Sequence, residues 1–299
     1  RSTPKPSSAA SDVYKRQYLH IVEKRDDGIV VRGAKNHITM ASYADEIIVL
    51  PTRAMTEKDK NWAVSFAVPG DWEGVKHVVR VTALRPREKL HAPIGEFGVG
   101  DSFLIFDDVF VPWERVFLCG EWEFAGLLAH HFANYHRHSY TGCKPAVTDI
   151  MLGSAALVAE YNGIEGRPHV RTRLVEMACL AELVYAAGIA SAVKSTISDS
   201  GTCVPDIVFT NAGRRHAGVN IYHEFDVVAE LAGGLPATLP FERDFYNPNV
   251  GPLLEKYIMR KEDISAEKQH RCFRFLSDIL CSALAGVNQI AGVHGGGSP

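Results

Sequence analysis

Ser102–His136, SFLIFDDVFVPWERVFLCGEWEFAGLLAHHFANYH, is where the texture of the chain changes. Up to Leu118 the stretch is a run of Val, Ile, Leu and Phe interrupted by Asp107-Asp108 and Pro112, the composition of a half-buried strand and its exit turn. Beyond Gly120 the apolar residues recur at spacings of three and four, with Ala and Leu in place of β-branched residues, which is a helical pattern. A β-domain therefore ends here and a helical domain begins.

Upstream of the junction the same strand texture repeats. YLHIVEK from Tyr18, the Asp26-Asp27-Gly28 turn, IVVRGAK, EIIVLP, WAVSFAVPG and VKHVVRVTAL read as short strands joined by hairpin signals. They predict a small, mostly antiparallel β-domain over residues 18–119. Residues 1–17 are rich in Ser, Ala, Pro and Lys without apolar period and read as a disordered or non-native leader. Downstream, EWEFAGLLAHHFANYH, AVTDIMLGSAALVAEY, HVRTRLVEMACLAELVYAAGIASAV, VNIYHEFDVVAELAG and ISAEKQHRCFRFLSDILCSALAGVNQIAG predict a bundle of roughly five helices over residues 120–299. Several are apolar almost all round, as in a bundle interior or a subunit interface. The fold class is α+β, and the final His294-Gly295-Gly296-Gly297-Ser298-Pro299 reads as a turn leading onward, so both ends are expected to be truncated.

The 299 residues, 46% hydrophobic and 22% charged, suffice for two domains. A net charge of -3 with Lys and Arg scattered among Asp and Glu offers no general attraction for nucleic acid or an anionic membrane, so an anionic ligand must be held locally. No uninterrupted apolar run approaches the roughly 20 residues of a membrane span, and a cytoplasmic location is expected. Six cysteines, at 119, 143, 179, 203, 272 and 281, have no C-x-x-C pairing and are expected to be thiols, mostly as buried small hydrophobes.

The stretch most suggestive of chemistry is Asn134-Tyr135-His136-Arg137-His138-Ser139-Tyr140-Thr141-Gly142-Cys143-Lys144. On a helix His136, Tyr140 and Cys143 share one face, with Lys144 beside them. An imidazole and a thiolate can hold a metal, a phenol can exchange a proton, and an ammonium can orient an anion. The plainer alternative buries Tyr140 and Cys143 as packing residues and turns His136, His138 and Lys144 to solvent. Leu231-Ala232-Gly233-Gly234 and Asn288 to Gly297 place glycines at helix ends, where they can approach a phosphate or simply cap the helix. His130, His131, Asp107, Asp108, Glu114, Glu224 and Asp226 read as surface or capping residues.

The pattern His-x-x-x-Tyr-x-x-Cys-Lys resembles the active-site segment of the 4-hydroxybutyryl-CoA dehydratase family. Gly33-Ala34-Lys35-Asn36-His37-Ile38-Thr39-Met40-Ala41-Ser42-Tyr43-Ala44-Asp45 resembles the middle-domain strand of acyl-CoA dehydrogenase-like flavoproteins. The resemblance covers nearly everything after Tyr18. It implies an acyl-CoA dehydrogenase-like arrangement with the N-terminal helical domain missing, and a homotetramer. It further implies FAD, a [4Fe-4S] cluster held by three cysteines and a histidine, and an acyl-CoA substrate.

On that resemblance His136 and Cys143 are cluster ligands, with two further cysteines expected upstream. His136 is also a base, Tyr140 a proton donor or relay, and Lys144 an orienting cation near the flavin. His37, Ile38 and Thr39 contact the flavin ring, and Gln289 and Gly295 contribute to flavin binding. The implied reaction is dehydration of 4-hydroxybutyryl-CoA to crotonyl-CoA by a flavin radical mechanism, with vinylacetyl-CoA isomerisation left open. Two alternatives stand beside it: a reduced-flavin-dependent aromatic hydroxylase of the 4-hydroxyphenylacetate 3-monooxygenase type, which needs no iron ligand, and an inactive assembly fragment.

Overall fold

The computed structural model describes residues 17–80 and 100–296. The expected leader over 1–17 lies almost wholly outside them, as do the far end of the VKHVVRVTAL strand and Gly297. The described residues divide into two compact units, one ending at Phe132 and the other running from Ala133.

The first unit is built on seven strands: β1 (His20–Lys24), β2 (Gly28–Thr39), β3 (Glu46–Val49), β4 (Val64–Pro69), β5 (Val75–Val79), β6 (Asp101–Pro112) and β7 (Val116–Cys119). They form two antiparallel sheets, one ordered β1-β2-β6-β5 and the other β3-β4-β7. Alternation of the sequence puts Ile29, Val31, Leu104 and Phe106 of the first sheet and Ile47, Val49, Phe66 and Val68 of the second into one buried core. Phe66 and Phe106 meet edge to face at 5.7 Å between ring centres.

The long strand β2 is not regular. Its pairing with β6 shifts between Val31 and Gly33 and again between Lys35 and Ile38. Gly33 has φ of 133°, and a Cβ there would stand 2.6 Å from the Leu19 Cα, so this bulge requires glycine. The second shift leaves His37 at φ 61°, followed by Met40 at φ 65°. Two non-glycine residues in the left-handed region so close together mark a locally strained strand end.

The second unit is helical. Its long elements are α1 (Trp122–Tyr161, which begins in the first unit), α2 (Pro168–Val193) and α3 (Ile207–Ala232). Short helices α4 (Leu235–Thr238), α5 (Glu242–Phe245) and α6 (Gly251–Ile258) follow, and then α7 (Ala266–Cys281) and α8 (Ala283–His294). A small hairpin, β8 (Thr196–Ile197) with β9 (Cys203–Val204), joins α2 to α3. Met151, Ala155 and Val158 of α1, Met177 of α2, Ile221, Phe225 and Val228 of α3 and Phe273 and Leu276 of α7 share the core. Asp206 caps α3 by accepting from the Val208 and Phe209 amides, both at 2.9 Å.

The helix boundaries differ from the sequence expectation in two places. The two segments expected on either side of Gly142–Pro145 are one 40-residue helix with Pro145 inside it. Proline normally breaks a helix because it lacks the amide and crowds the preceding turn. Here the buried side chains of Tyr140, Thr141, Lys144 and Thr148 hold that turn against its neighbours. Conversely, the segment expected as one helix over 264–292 is broken at Ser282, with α7 and α8 bent by 51°. The Ser282 hydroxyl caps α8 by accepting from the Ala285 amide.

Burial corrects the expectation for the cysteines. All six are free thiols and Cys272 is buried, but Cys143, Cys179, Cys203 and Cys281 are exposed. Cys179 shows why: it lies on the outer arc of α2, between Met177 and Leu180, which face inward. Helix α2 is also, among the described residues, the one helix long and apolar enough by composition to cross a bilayer, with 28% of its apolar window buried within the chain. Leu183, Tyr185, Ile189 and Val193 lie on its uncovered side.

Candidate active site

The site in the helical unit is one stretch of α1 and what α3 and α8 bring to it. Positions 136, 140 and 143 fall within an arc of about 60° at about 100° per residue, with 144 just beyond. Tyr140 and Lys144 are buried, whereas His136 and Cys143 are exposed. The plainer reading of the stripe is thus reversed at two positions: the thiol faces out and the ammonium faces in.

Lys144 and Glu224 of α3 form an ion pair with Nζ and Oε2 2.7 Å apart, both side chains excluded from water at 3% and 0% exposure. The same Nζ lies 3.4 Å from the Thr148 Oγ1. The Thr148 hydroxyl stands 3.1 Å from Glu224 Oε1 and 3.3 Å from the Lys144 carbonyl, and its one proton serves either. Both carboxylate oxygens of Glu224 are therefore engaged. Burial pushes Lys144 down and Glu224 up, and each charge opposes the effect on the other.

The Tyr140 hydroxyl donates to the Gly292 carbonyl at 2.5 Å, and the Arg214 guanidinium sits 5.0 Å from the centre of its ring. Burial pushes the phenol up to about 12, against the opposing pull of Arg214. Arg214 also donates to the Val293 carbonyl at 2.6 Å, and Arg137 donates to the Gly296 carbonyl at 2.7 Å. Three carbonyls at the glycine-rich end of α8 are thus held by side chains from α1 and α3.

Gly295 lies directly against the Tyr140 ring, where a Cβ would come within 2.7 Å of a ring carbon. Gln289 is half-buried on α8. His136 is held below its ordinary value by partial burial and by the nearby Arg214 and Arg137, so it is a neutral imidazole at neutral pH. The Cys143 thiol is pushed up by partial shielding, with Lys144 opposing, so it keeps its proton unless a metal displaces it.

His37, Ile38 and Thr39 belong to the other unit, at the strained end of β2. His37 and Thr39 are exposed and Ile38 is half-buried. Ile38 and Thr39 pair with Ser102 and Asp101 of β6. The Thr39 hydroxyl donates to Asp101 Oδ1 at 2.7 Å, leaving its lone pairs as acceptors, and Asp101 is in turn paired with Arg80 at 2.6 Å.

Against known proteins, the family pattern described as 4-hydroxyphenylacetate 3-hydroxylase N terminal matches residues 2–118, and its C-terminal counterpart matches residues 125–299. The chain belongs to the 4-hydroxyphenylacetate 3-hydroxylase family. Within this family it is 38% identical, over 94% of its length, to the 4-hydroxybutyryl-CoA dehydratase/vinylacetyl-CoA-Δ-isomerase of Clostridium aminobutyricum, and it covers 60% of that relative. It superimposes on an oxygen-tolerant archaeal 4-hydroxybutyryl-CoA dehydratase from N. maritimus with a TM-score of 0.88 at 35% identity, over 94% of this chain and 57% of that one. On the oxygenase component of 4-hydroxyphenylacetate 3-monooxygenase complexed with FAD the TM-score is 0.84 at 27% identity, over 95% and 59% of the two chains. The fold is the acyl-CoA dehydrogenase-like one expected from the motifs. The resemblance to 4-hydroxybutyryl-CoA dehydratase likewise holds over nearly the whole chain, which spans about three fifths of the length of these relatives.

The sequence motifs did not pick out every residue that the structure brings to this candidate site. Glu224, expected at the surface or at a cap, is fully buried. Its signal was present in the sequence: it stands between Ile221, Phe225 and Val228 on the arc of α3 that faces the core, where a carboxylate requires a partner. Thr148 lies one helical turn beyond Lys144 and was equally legible as a neighbour. Arg137 and Arg214 gave no such signal, because the partners that hold them, Asn211 and the carbonyls of Val293 and Gly296 among them, are distant in sequence.

Proposed function

We propose that the intact protein dehydrates 4-hydroxybutyryl-CoA to crotonyl-CoA, using FAD and a [4Fe-4S] cluster to which His136 and Cys143 contribute two ligands. The carrying observation is the arrangement on α1: an exposed imidazole and an exposed thiol on one face, with a buried phenol between them in sequence and a buried ammonium beside them. Aromatic hydroxylation has no need of that imidazole–thiol pair.

The donor chemistry suits an iron–sulfur cluster, but the count does not complete one. Among the described residues no group of three or more His, Cys, Asp and Glu side chains could hold a metal ion. The other two ligands would come from outside them. When bound, the flavin supplies one-electron chemistry and the cluster a Lewis-acidic iron. Such chemistry is called for because the hydrogen leaving C3 is not acidified by the thioester as the C2 hydrogen is.

This chain's own residues take simpler roles. Neutral His136 is suited to accept a proton or to ligate. Tyr140, with its proton retained and its ring fixed by Arg214 and Gly295, is a donor once its bond to the Gly292 carbonyl is exchanged. Lys144 is a fixed cation. His37, Ile38 and Thr39 offer an exposed strand end to a flavin ring, and Gln289 and Gly295 are proposed as further flavin contacts. The apolar outer side of α2 supports assembly as a homotetramer, and a cytoplasmic location accompanies this reading.

The test is anaerobic purification of the intact protein, analysis of flavin, iron and sulfide, and assay for crotonyl-CoA. Tyr140→Phe is expected to keep its flavin while dehydration falls about a hundredfold or more; unchanged turnover removes Tyr140 from the scheme. The second reading, a reduced-flavin-dependent aromatic hydroxylase, is supported by the likeness to the FAD-complexed oxygenase component of 4-hydroxyphenylacetate 3-monooxygenase. It predicts an air-stable flavoprotein without iron that consumes oxygen with a phenol.

A further inference from the structure

We propose that Glu224 is the positioning residue for Lys144: it reaches from α3 into the interior of the bundle to fix the ammonium beside the Tyr140–Cys143 turn of α1. The inference deepens the reading above and rests on it for the role of Lys144 at the flavin.

The geometry carries it. A lysine and a glutamate 80 positions apart in sequence meet at 2.7 Å with both side chains shut off from water. A pair of this kind is weak evidence for stability, because apolar residues of the same volume fill such a space as well or better. The pair does fix one thing that apolar residues cannot supply, which is a charge at a defined point. Lys144 Nζ is held from two sides, by Glu224 Oε2 and by Thr148 Oγ1.

Glu224 is held in turn by Thr148 at its other oxygen, so the carboxylate cannot rotate without losing a partner. The turn being fixed is the one that matters to the site. Lys144 is covalently next to Cys143 and lies one helical turn beyond Tyr140 on the same helix.

The experiment is a double-mutant cycle on the intact protein, with Glu224→Gln, Lys144→Met and both together, read in kcat for dehydration and separately in the FAD dissociation constant. Gln keeps the shape and an acceptor oxygen but not the charge. If Glu224 acts through Lys144, Glu224→Gln lowers kcat by about tenfold or more and weakens FAD binding, and it adds nothing to either loss once Lys144 is Met. The apolar pair Lys144→Met/Glu224→Met is expected to melt near the wild type while its kcat stays low, which separates positioning from folding. Effects of the two substitutions that multiply, a Glu224→Gln protein within twofold of wild type in both readouts, or recovery of turnover along with melting temperature in the apolar pair would each overturn the proposal. Failure of the dehydratase reading looks different: the wild type then makes no crotonyl-CoA, while the FAD cycle still shows the non-additivity.

Discussion

Lys144→Met alone is expected to destabilise the helical unit by about 3–5 kcal/mol, the scale for removing one partner of a buried ion pair. Methionine fills nearly the same volume, so no cavity accounts for the loss. The cost lies in the Glu224 carboxylate, which is left at 0% exposure with only the Thr148 hydroxyl as partner. With a total stability of about 5–15 kcal/mol for a typical domain, this is enough to put a large fraction of the protein out of its native state on modest warming. Chemical denaturation followed by circular dichroism measures it. Adding Glu224→Met should recover most of the loss, since the stranded charge is then gone. A Lys144→Met protein as stable as the wild type would mean that water reaches Glu224 and that the pair is not dry.

A comparably direct effect is expected from Gly188→Val on α2. A Cβ at position 188 would overlap the Thr141 hydroxyl, and the Thr141 methyl is in turn 2.8 Å from where a Cβ on Gly213 of α3 would stand. Thr141 is thus seated between two glycines from neighbouring helices, which is how α1 comes close enough for Lys144 to reach Glu224. Valine at 188 forces α1 outward or Thr141 off its rotamer, at about 1–3 kcal/mol for overpacking. The disturbance falls on the turn that carries Tyr140 and Cys143, so turnover should drop along with stability. Thr141→Ala in the same protein makes room and should restore at least half of the stability. If it restores none, the α1–α2 approach is not limited at that contact.

Much of the fold was legible in the sequence because it depends on near neighbours. The hairpin turn at Asp26–Gly28, the alternation in Ser102–Val111 and the three-four spacing after Gly120 each follow from chemistry within a few residues, and each forms the expected kind of element. The stripe of His136, Tyr140 and Cys143 is likewise a matter of helical period and is present on α1. Most of the misjudged features depend on distant partners. The two segments expected around residues 137–145 are one helix because packing holds the turn at Pro145, and Ser282 carried a capping signal that an unbroken apolar period concealed. Glu224 read as a surface carboxylate because charged residues usually are.

By itself, then, the sequence determined the order and kind of the elements, the family, and which side chains could share one face of α1. Tertiary structure alone decided which of those side chains are dry: that Cys143 faces out and Lys144 faces in, that Glu224 crosses from α3 to meet it, and that the glycine-rich end of α8 closes over Tyr140. The division has a physical cause. A residue's backbone preference is set by its own covalent neighbours, whereas its burial is set by whatever else the chain brings against it, and in this protein the decisive contacts join residues about 80 and about 150 positions apart.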